Sequence, residues 1–179
     1  MIRALLILSL LSLALWSASF DAVLLQIGGK VFPKVIMMEQ RNKERIATGS
    51  LNIVIVTDEA YKGDAARLSE IIRRQYESNF NVNVTVNSPK EAMNSTNAHG
   101  MILLVEGKEP GLPALIDHAL KTKTLTFSLN PDLLSKGVAV SLHIGKTVKP
   151  YLNLTVVRKT PFTFEYGFLK LSQPYTSQE

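Results

Sequence analysis

The chain opens on an uncharged, almost wholly apolar run from Ala4 to Leu15, behind the short positive start Met1-Ile2-Arg3. Small residues follow at Ser17 and Ser19, three and one positions ahead of a cut before Phe20. This layout predicts a secretory signal peptide over 1–19 and a single domain over 20–179, with an uncleaved N-terminal anchor as the competing reading. A membrane span needs roughly 20 apolar residues, whereas this run is shorter and ends in small polar residues. Beyond it the pattern becomes amphipathic. Leu24, Ile27, Val31, Val35 and Met38 recur at steps of three and four, which predicts a helix. Pro33 inside that helix predicts a kink or a division.

Strand and helix patterns then alternate. Leu51–Val56 is a short β-branched run and reads as a buried strand. Tyr61, Ala65, Leu68, Ile72 and Tyr76 line one face of a helix. Phe80–Val86 alternates with period two, the mark of a strand with one wetter face. Ser88, Pro89 and Glu91 form a helix start, with Ser88 as cap and Pro89 at the first helical position. Gly100–Val105 is a continuous apolar strand. Leu112, Leu115, Ile116, Ala119 and Leu120 then give a clean helix face. Thr124–Ser128 and Val138–Ile144 are further strands, separated by a helical turn from Asn130-Pro131 through Leu134 that Gly137 ends. The alternation predicts one α/β domain, three-layered and Rossmann-like, with a mostly parallel sheet covered on both faces.

The C-terminal residues fit this scheme less well. Leu152–Val157 is β-rich by propensity, yet Asn153 is equally suited to cap a short helix running to Lys159. Phe162–Leu171 is aromatic and should pack against the core.

Composition narrows the function. About 160 residues follow the leader, enough to bury roughly two-thirds of the unfolded surface and fold without staples. The chain has no cysteine, which excludes disulfides, a lipid-modified cysteine and thiolate metal sites. The net charge of +5 is diffuse, and its densest cluster, 39–45, mixes both signs. With export, this makes nucleic acid an unsuitable partner.

Most catalytic and cofactor motifs fail when their spacing is examined. Gly145-Lys146-Thr147 lacks the glycine a phosphate loop needs five residues earlier, where Val140 stands, so it reads as a tight loop. No dinucleotide fingerprint follows a strand. His99, His118 and His143 are never spaced as a ligand pair. His118 lies beside Asp117, about 100° away on the helix and opposite the apolar face, which predicts exposure to solvent. There is no nucleophile elbow. The expectation is therefore a protein that is not an enzyme and holds no metal or cofactor. Three Asn-x-Ser/Thr sequons, at Asn83, Asn94 and Asn153, would matter only in a eukaryotic secretory pathway.

In open α/β sheets, ligands bind beyond the carboxyl ends of the strands. There this chain offers Asp58, Glu106, Lys108 and Ser128 as candidate ligand-binding groups, with helix capping and loop solvation as the competing role. Near the C-terminus Tyr151, Phe162 and Tyr166 are candidate contacts for a protein partner, with core packing as the competing fate.

Two parts of the sequence resemble the YfiR-like periplasmic family. The first is the opening helix from Leu24 to the Phe32-Pro33 step. The second is the stretch 124–172, with Leu125-Thr-Phe-Ser128, Gly137–Leu142, Tyr151–Leu154 and the closing Phe168–Leu171. The resemblance implies an exported, non-catalytic regulatory domain that binds the extracytoplasmic part of an inner-membrane signalling protein, such as a diguanylate cyclase or a sensor kinase. It also implies dimers, and it favours the helix cap at Asn153. Redox-linked control cannot be carried over to a chain without cysteine. A small solute-binding protein serving a transporter is the alternative function.

Overall fold

A computed structural model describes residues 19–47 and 49–176; of the leader expected over 1–19, all but Ser19 lies outside the described residues. Asp21 caps the first helix, α1 (Ala22–Met38), its carboxylate accepting from the Val23 and Leu24 N–H groups. Pro33 does not divide this helix. The break falls instead at Glu39, whose backbone is extended and pairs with Phe164, before α2 (Gln40–Ala47) begins. The buried stripe of α1 is Leu25, Phe32, Val35 and Ile36 together with Gly28 and Gly29, leaving Leu24, Ile27 and Val31 half-buried. The glycines explain the rotation. A Cβ at Gly29 would come within 2.5 Å of Ile71 Cγ2, so the missing side chain allows close helix contact.

β1 (Leu51–Thr57) follows, then a one-turn helix (Glu59–Tyr61), α3 (Lys62–Tyr76), β2 (Val82–Asn87), α4 (Pro89–Ala92) and β3 (Gly100–Leu104). α5 (Leu112–Lys121), β4 (Leu125–Ser128), a second short helix (Pro131–Lys136) and β5 (Val140–Ile144) complete the alternating part. The second strand starts later than its alternation predicts, leaving Phe80 exposed before it. The predicted capping box at Ser88 is present in full.

The sheet order is β2-β1-β3-β4-β5 for these five parallel strands, which is the order of a doubly wound sheet. Two further strands close the sheet. β6 (Val148–Asn153) returns antiparallel to β5 around the tight loop at 145–147, and β7 (Gln173–Tyr175) pairs parallel to β6. One face of the sheet packs under α1 and α3, with Ile53, Ile55, Ile102, Leu104 and Phe127 at its centre. The other packs under α4 and α5 through Val54, Val56, Met101, Leu103 and Val105.

Asn153 ends β6 and starts α6 (Leu154–Lys159). Its Oδ1 accepts from Val156 N–H, while Nδ2 donates to the Leu134 and Val138 carbonyls at 2.8 and 3.1 Å. The cap therefore also ties the strand end to the turn before β5. The chain then runs through buried Phe162 and Phe164 into α7 (Tyr166–Leu171), anchored by Phe168.

Candidate functional site

Chain direction reverses around β1: the first crossover, through α3, leads to β2 on one side, and the next returns past β1 to β3 on the other. That switch point is where a doubly wound sheet opens a crevice at its carboxyl edge. Tyr61, buried in the turn after β1, sits at this point. Burial raises its hydroxyl above the usual tyrosine value, and the carboxylates of Glu106, Asp58, Glu109 and Asp64 add to the rise. The loops after β1 and β3 thus converge on Tyr61 with four acidic groups.

The four residues predicted to bind a ligand divide on inspection. Asp58 is half-buried, and its Oδ1 accepts from Ala60 N–H at 2.9 Å, capping the short helix. Glu106 and Lys108 are exposed and paired with each other at 3.2 Å. Their loop is held by Glu109, whose two oxygens accept from the Glu106 and Gly107 N–H groups. Ser128 is fully buried, donating to the Leu103 carbonyl and accepting from Asn130 N–H, so its hydroxyl is committed to the fold.

Of the four, Asp58 lines a cavity of about 550 Å³ at the carboxyl ends of β1 and β2, with Thr57, Lys62, Asn87, Ser88 and Glu91 among its walls. Hydrogen bonds from Ser88 hold the Glu91 carboxyl below its usual value, and the Lys62 charge acts in the same direction. Lys62 is paired with Glu59 at 2.5 Å. The cavity therefore presents carboxylates, one ammonium, a hydroxyl and an amide around a small volume. Sequence reasoning applied the strand-end rule to β1, β3 and β4. Applied also to β2, it would have found Asn87 and Ser88.

Elsewhere a more apolar groove of about 440 Å³ lies beside the start of β5, between Leu120, Leu134, Val156 and Pro161. It holds none of the predicted ligand groups, and the amide of Asn153 in its wall is already spent on backbone partners. Among the candidate partner contacts, Phe162 is buried and Tyr151 is half-buried, edge-on to His143 and Tyr175. Tyr166 is 72% exposed.

His118, expected in solvent, is half-buried, and its Nε2 is buried without a hydrogen-bond partner. It stands in the last turn of α5, where Thr122 Oγ donates to its backbone carbonyl. Among the described residues, no group of three or more His, Asp or Glu is placed to hold a metal ion, and no helix is long and apolar enough to cross a membrane.

Fold and cavity together define a doubly wound α/β domain with a small polar cleft at the carboxyl edge of its sheet, between β1 and β2 and on the other side of β1 from the switch point. No family model matches the chain, and no curated protein matches it in sequence. Solved structures share its fold. The ABC domain in complex with L-Trp from Streptococcus pneumonia aligns with a TM-score of 0.57 at 11% identity, over 79% of this chain and 58% of that one. A conserved domain protein from Vibrio cholerae aligns at 0.55 and 12%, over 76% and 58%. The chain thus spans less than two-thirds of either neighbour, and at these identities the likeness is one of fold.

Proposed function

We propose that this chain is an exported, periplasmic, non-catalytic binding domain whose ligand site is the cleft between the ends of β1 and β2. The observation that carries the reading is the cavity itself. Asp58 and Glu91 suit a ligand's ammonium, while Lys62 suits an acid group, within a volume that fits a small zwitterion. Asp58 keeps acceptor capacity, because a carboxylate has about four acceptor sites and one is used by Ala60. The streptococcal neighbour was solved with L-Trp, which supports amino acids as the first ligands to try. In this role the protein is a small solute receptor, of the kind that serves a transporter.

Thermal unfolding of the chain from Phe20 with a panel of amino acids tests this. A ligand at about 100 times its Kd adds about 2.7 kcal/mol, or about 5–10 °C in Tm for a domain of this size. Asp58→Asn and Lys62→Ala should each remove most of that rise while leaving the unliganded Tm within a few degrees. A panel that leaves Tm unmoved, or a rise that survives both substitutions, contradicts the reading.

One observation favours a second reading, the regulator that the YfiR-like resemblance implies. On α7, Tyr166, Leu169 and Leu171 are all exposed, Leu171 to 65%, while Phe168 alone anchors the helix. Contiguous apolar exposure of this kind marks protein contact surfaces. A photo-crosslinker at Tyr166 should then capture an inner-membrane signalling protein, and a partner can shift in activity only if its states differ in affinity for this chain. Capture of nothing beyond a second copy of the chain would remove the regulator and leave a dimer.

A further inference from the structure

The strongest unexplained feature lies at the first described residues. Asp64, in the first turn of α3, is 6% exposed, and none of the ion pairs formed among the described residues includes it. Its two oxygens face the start of the domain instead. Phe20 N–H donates to Oδ2 at 2.7 Å, and Ser19 Oγ donates to Oδ1 at 3.2 Å. The Phe20 ring rests 4.9 Å from the Tyr61 ring, and the next residue, Asp21, already caps α1. Phe20 therefore directs its backbone nitrogen at a buried carboxylate.

We propose that Asp64 is the receptor for a free Phe20 α-ammonium, created when the leader is cut between Ser19 and Phe20. The proposal rests on the leader reading of residues 1–19. Hydrolysis by a leader peptidase breaks the Ser19–Phe20 C–N bond. Water supplies hydroxyl to the Ser19 carbonyl carbon and a proton to the Phe20 nitrogen, which binds a further proton at neutral pH. Cutting removes the Ser19 hydroxyl from Asp64 but replaces one neutral N–H with a charged group bearing three donors. A charge-assisted bond to a carboxylate is roughly twice as strong as a neutral one. The finished domain is consequently more tightly closed at its N-terminus than the precursor, with the new ion pair set beside the Phe20–Tyr61 contact.

The sign of the pH effect follows. Asp64 favours the ammonium, so the amine's folded pKa stands above the ordinary 7.7–8.0 of an α-amino group. The added stability is full below that ordinary value and is lost as pH rises through the folded one. The other groups around this point are Asp21 on α1, Asp64 on α3, Tyr61 before it and, facing Tyr61, Asp58, Glu106 and Glu109. Tyr61 is pushed above its usual 10, whereas an α-amine has its ordinary value inside the window from pH 6.5 to 9.

N-terminal sequencing of the exported protein is the first test, and Phe20 is the expected first residue. An uncut chain overturns the leader reading together with this proposal, whereas a cut elsewhere overturns the proposal alone. The second test compares chains that begin at Phe20 and at Ser17, each with and without Asp64→Asn. The substitution should lower Tm at least twice as much in the chain beginning at Phe20, and that excess should fade between pH 6.5 and 9. Equal losses in both chains would reduce Asp64 to a helix-start hydrogen-bond acceptor and overturn the proposal. Should Asp64→Asn fail to fold, NMR titration of the ¹⁵N-labelled Phe20 amine reads the same point without a variant. A pKa at or below 7.7–8.0 overturns the proposal.

Discussion

His99 shows how a single residue can be fixed by its surroundings. It is 3% exposed; its N–H donates to the Asn52 carbonyl, and its Nδ1 accepts from Asn52 N–H at 3.0 Å, which requires a lone pair on that nitrogen. Burial, aided by the Arg45 charge, pushes its pKa down to about 4 from 6.5. A base with a depressed pKa contributes stability that is full above its unfolded value and is lost as pH falls through the folded one. The domain should therefore lose roughly 2–3 kcal/mol through this residue between pH 6.5 and 4. Urea unfolding of wild type and His99→Asn at both pH values checks this, because the variant keeps an acceptor for Asn52 but has no imidazole to charge. Equal pH slopes for the two proteins would show that His99 does not carry the effect. In sequence, His99 was one of three unpaired histidines and gave no sign of this. Its role depends on Asn52, 47 residues away, and on Arg45.

At the scale of elements, the join between α1 and the C-terminal segment rests on Glu39, which is buried. Its carboxylate accepts from Asn42 N–H at 2.8 Å and from Thr163 N–H at 3.2 Å, so it caps α2 and holds residues 162–165 against the helix junction. Gln40 N–H to the Thr163 carbonyl and Glu165 N–H to the Met38 carbonyl complete the clasp. Glu39→Ala leaves the buried Asn42 N–H unmatched, while Thr163 N–H can turn to water, and should cost about 1–3 kcal/mol. Hydrogen exchange should rise over 160–171 before the sheet is affected. Exchange that rises evenly along the chain would contradict a local clasp.

Legibility in the sequence divides along the same line. Strands β1 and β3 and helices α3 and α5 were readable because their apolar period is set by their own residues. So were the cap at Ser88, where the side chain bonds its own helix, and the helical turn opening at Asn130. Strands β6 and β7, which complete the sheet beyond β5, were not. Val148 to Pro150 are exposed or half-buried and carry no period-two pattern, and β6 exists because β5 offers it a ladder. Helix α1 was read correctly but rotated by a residue, because small residues mark its buried side where large ones were expected. Asn153 was open to either structure until its amide found two carbonyls from the preceding turn.

For the whole molecule, strand order does what no single motif does. By reversing direction around β1, the sheet brings Asp58 and Tyr61 beside the loop of Glu106 and Glu109, and it sets Asp58 and Lys62 opposite Ser88 and Glu91. Three of the four predicted ligand groups have partners within the fold, Ser128 in the core and Glu106 and Lys108 with each other, while Asp58 gains neighbours from β2 and α4. The central claim is that this carboxyl-edge cleft binds a small zwitterion. Amide chemical shifts of the ¹⁵N-labelled domain, recorded with L-tryptophan and with a pool of the other common amino acids, test it most directly. The account predicts saturable shifts over 57–62 and 86–91, absent in Asp58→Asn. No shifts at millimolar ligand, or shifts confined to the groove between Leu120 and Pro161, would contradict it.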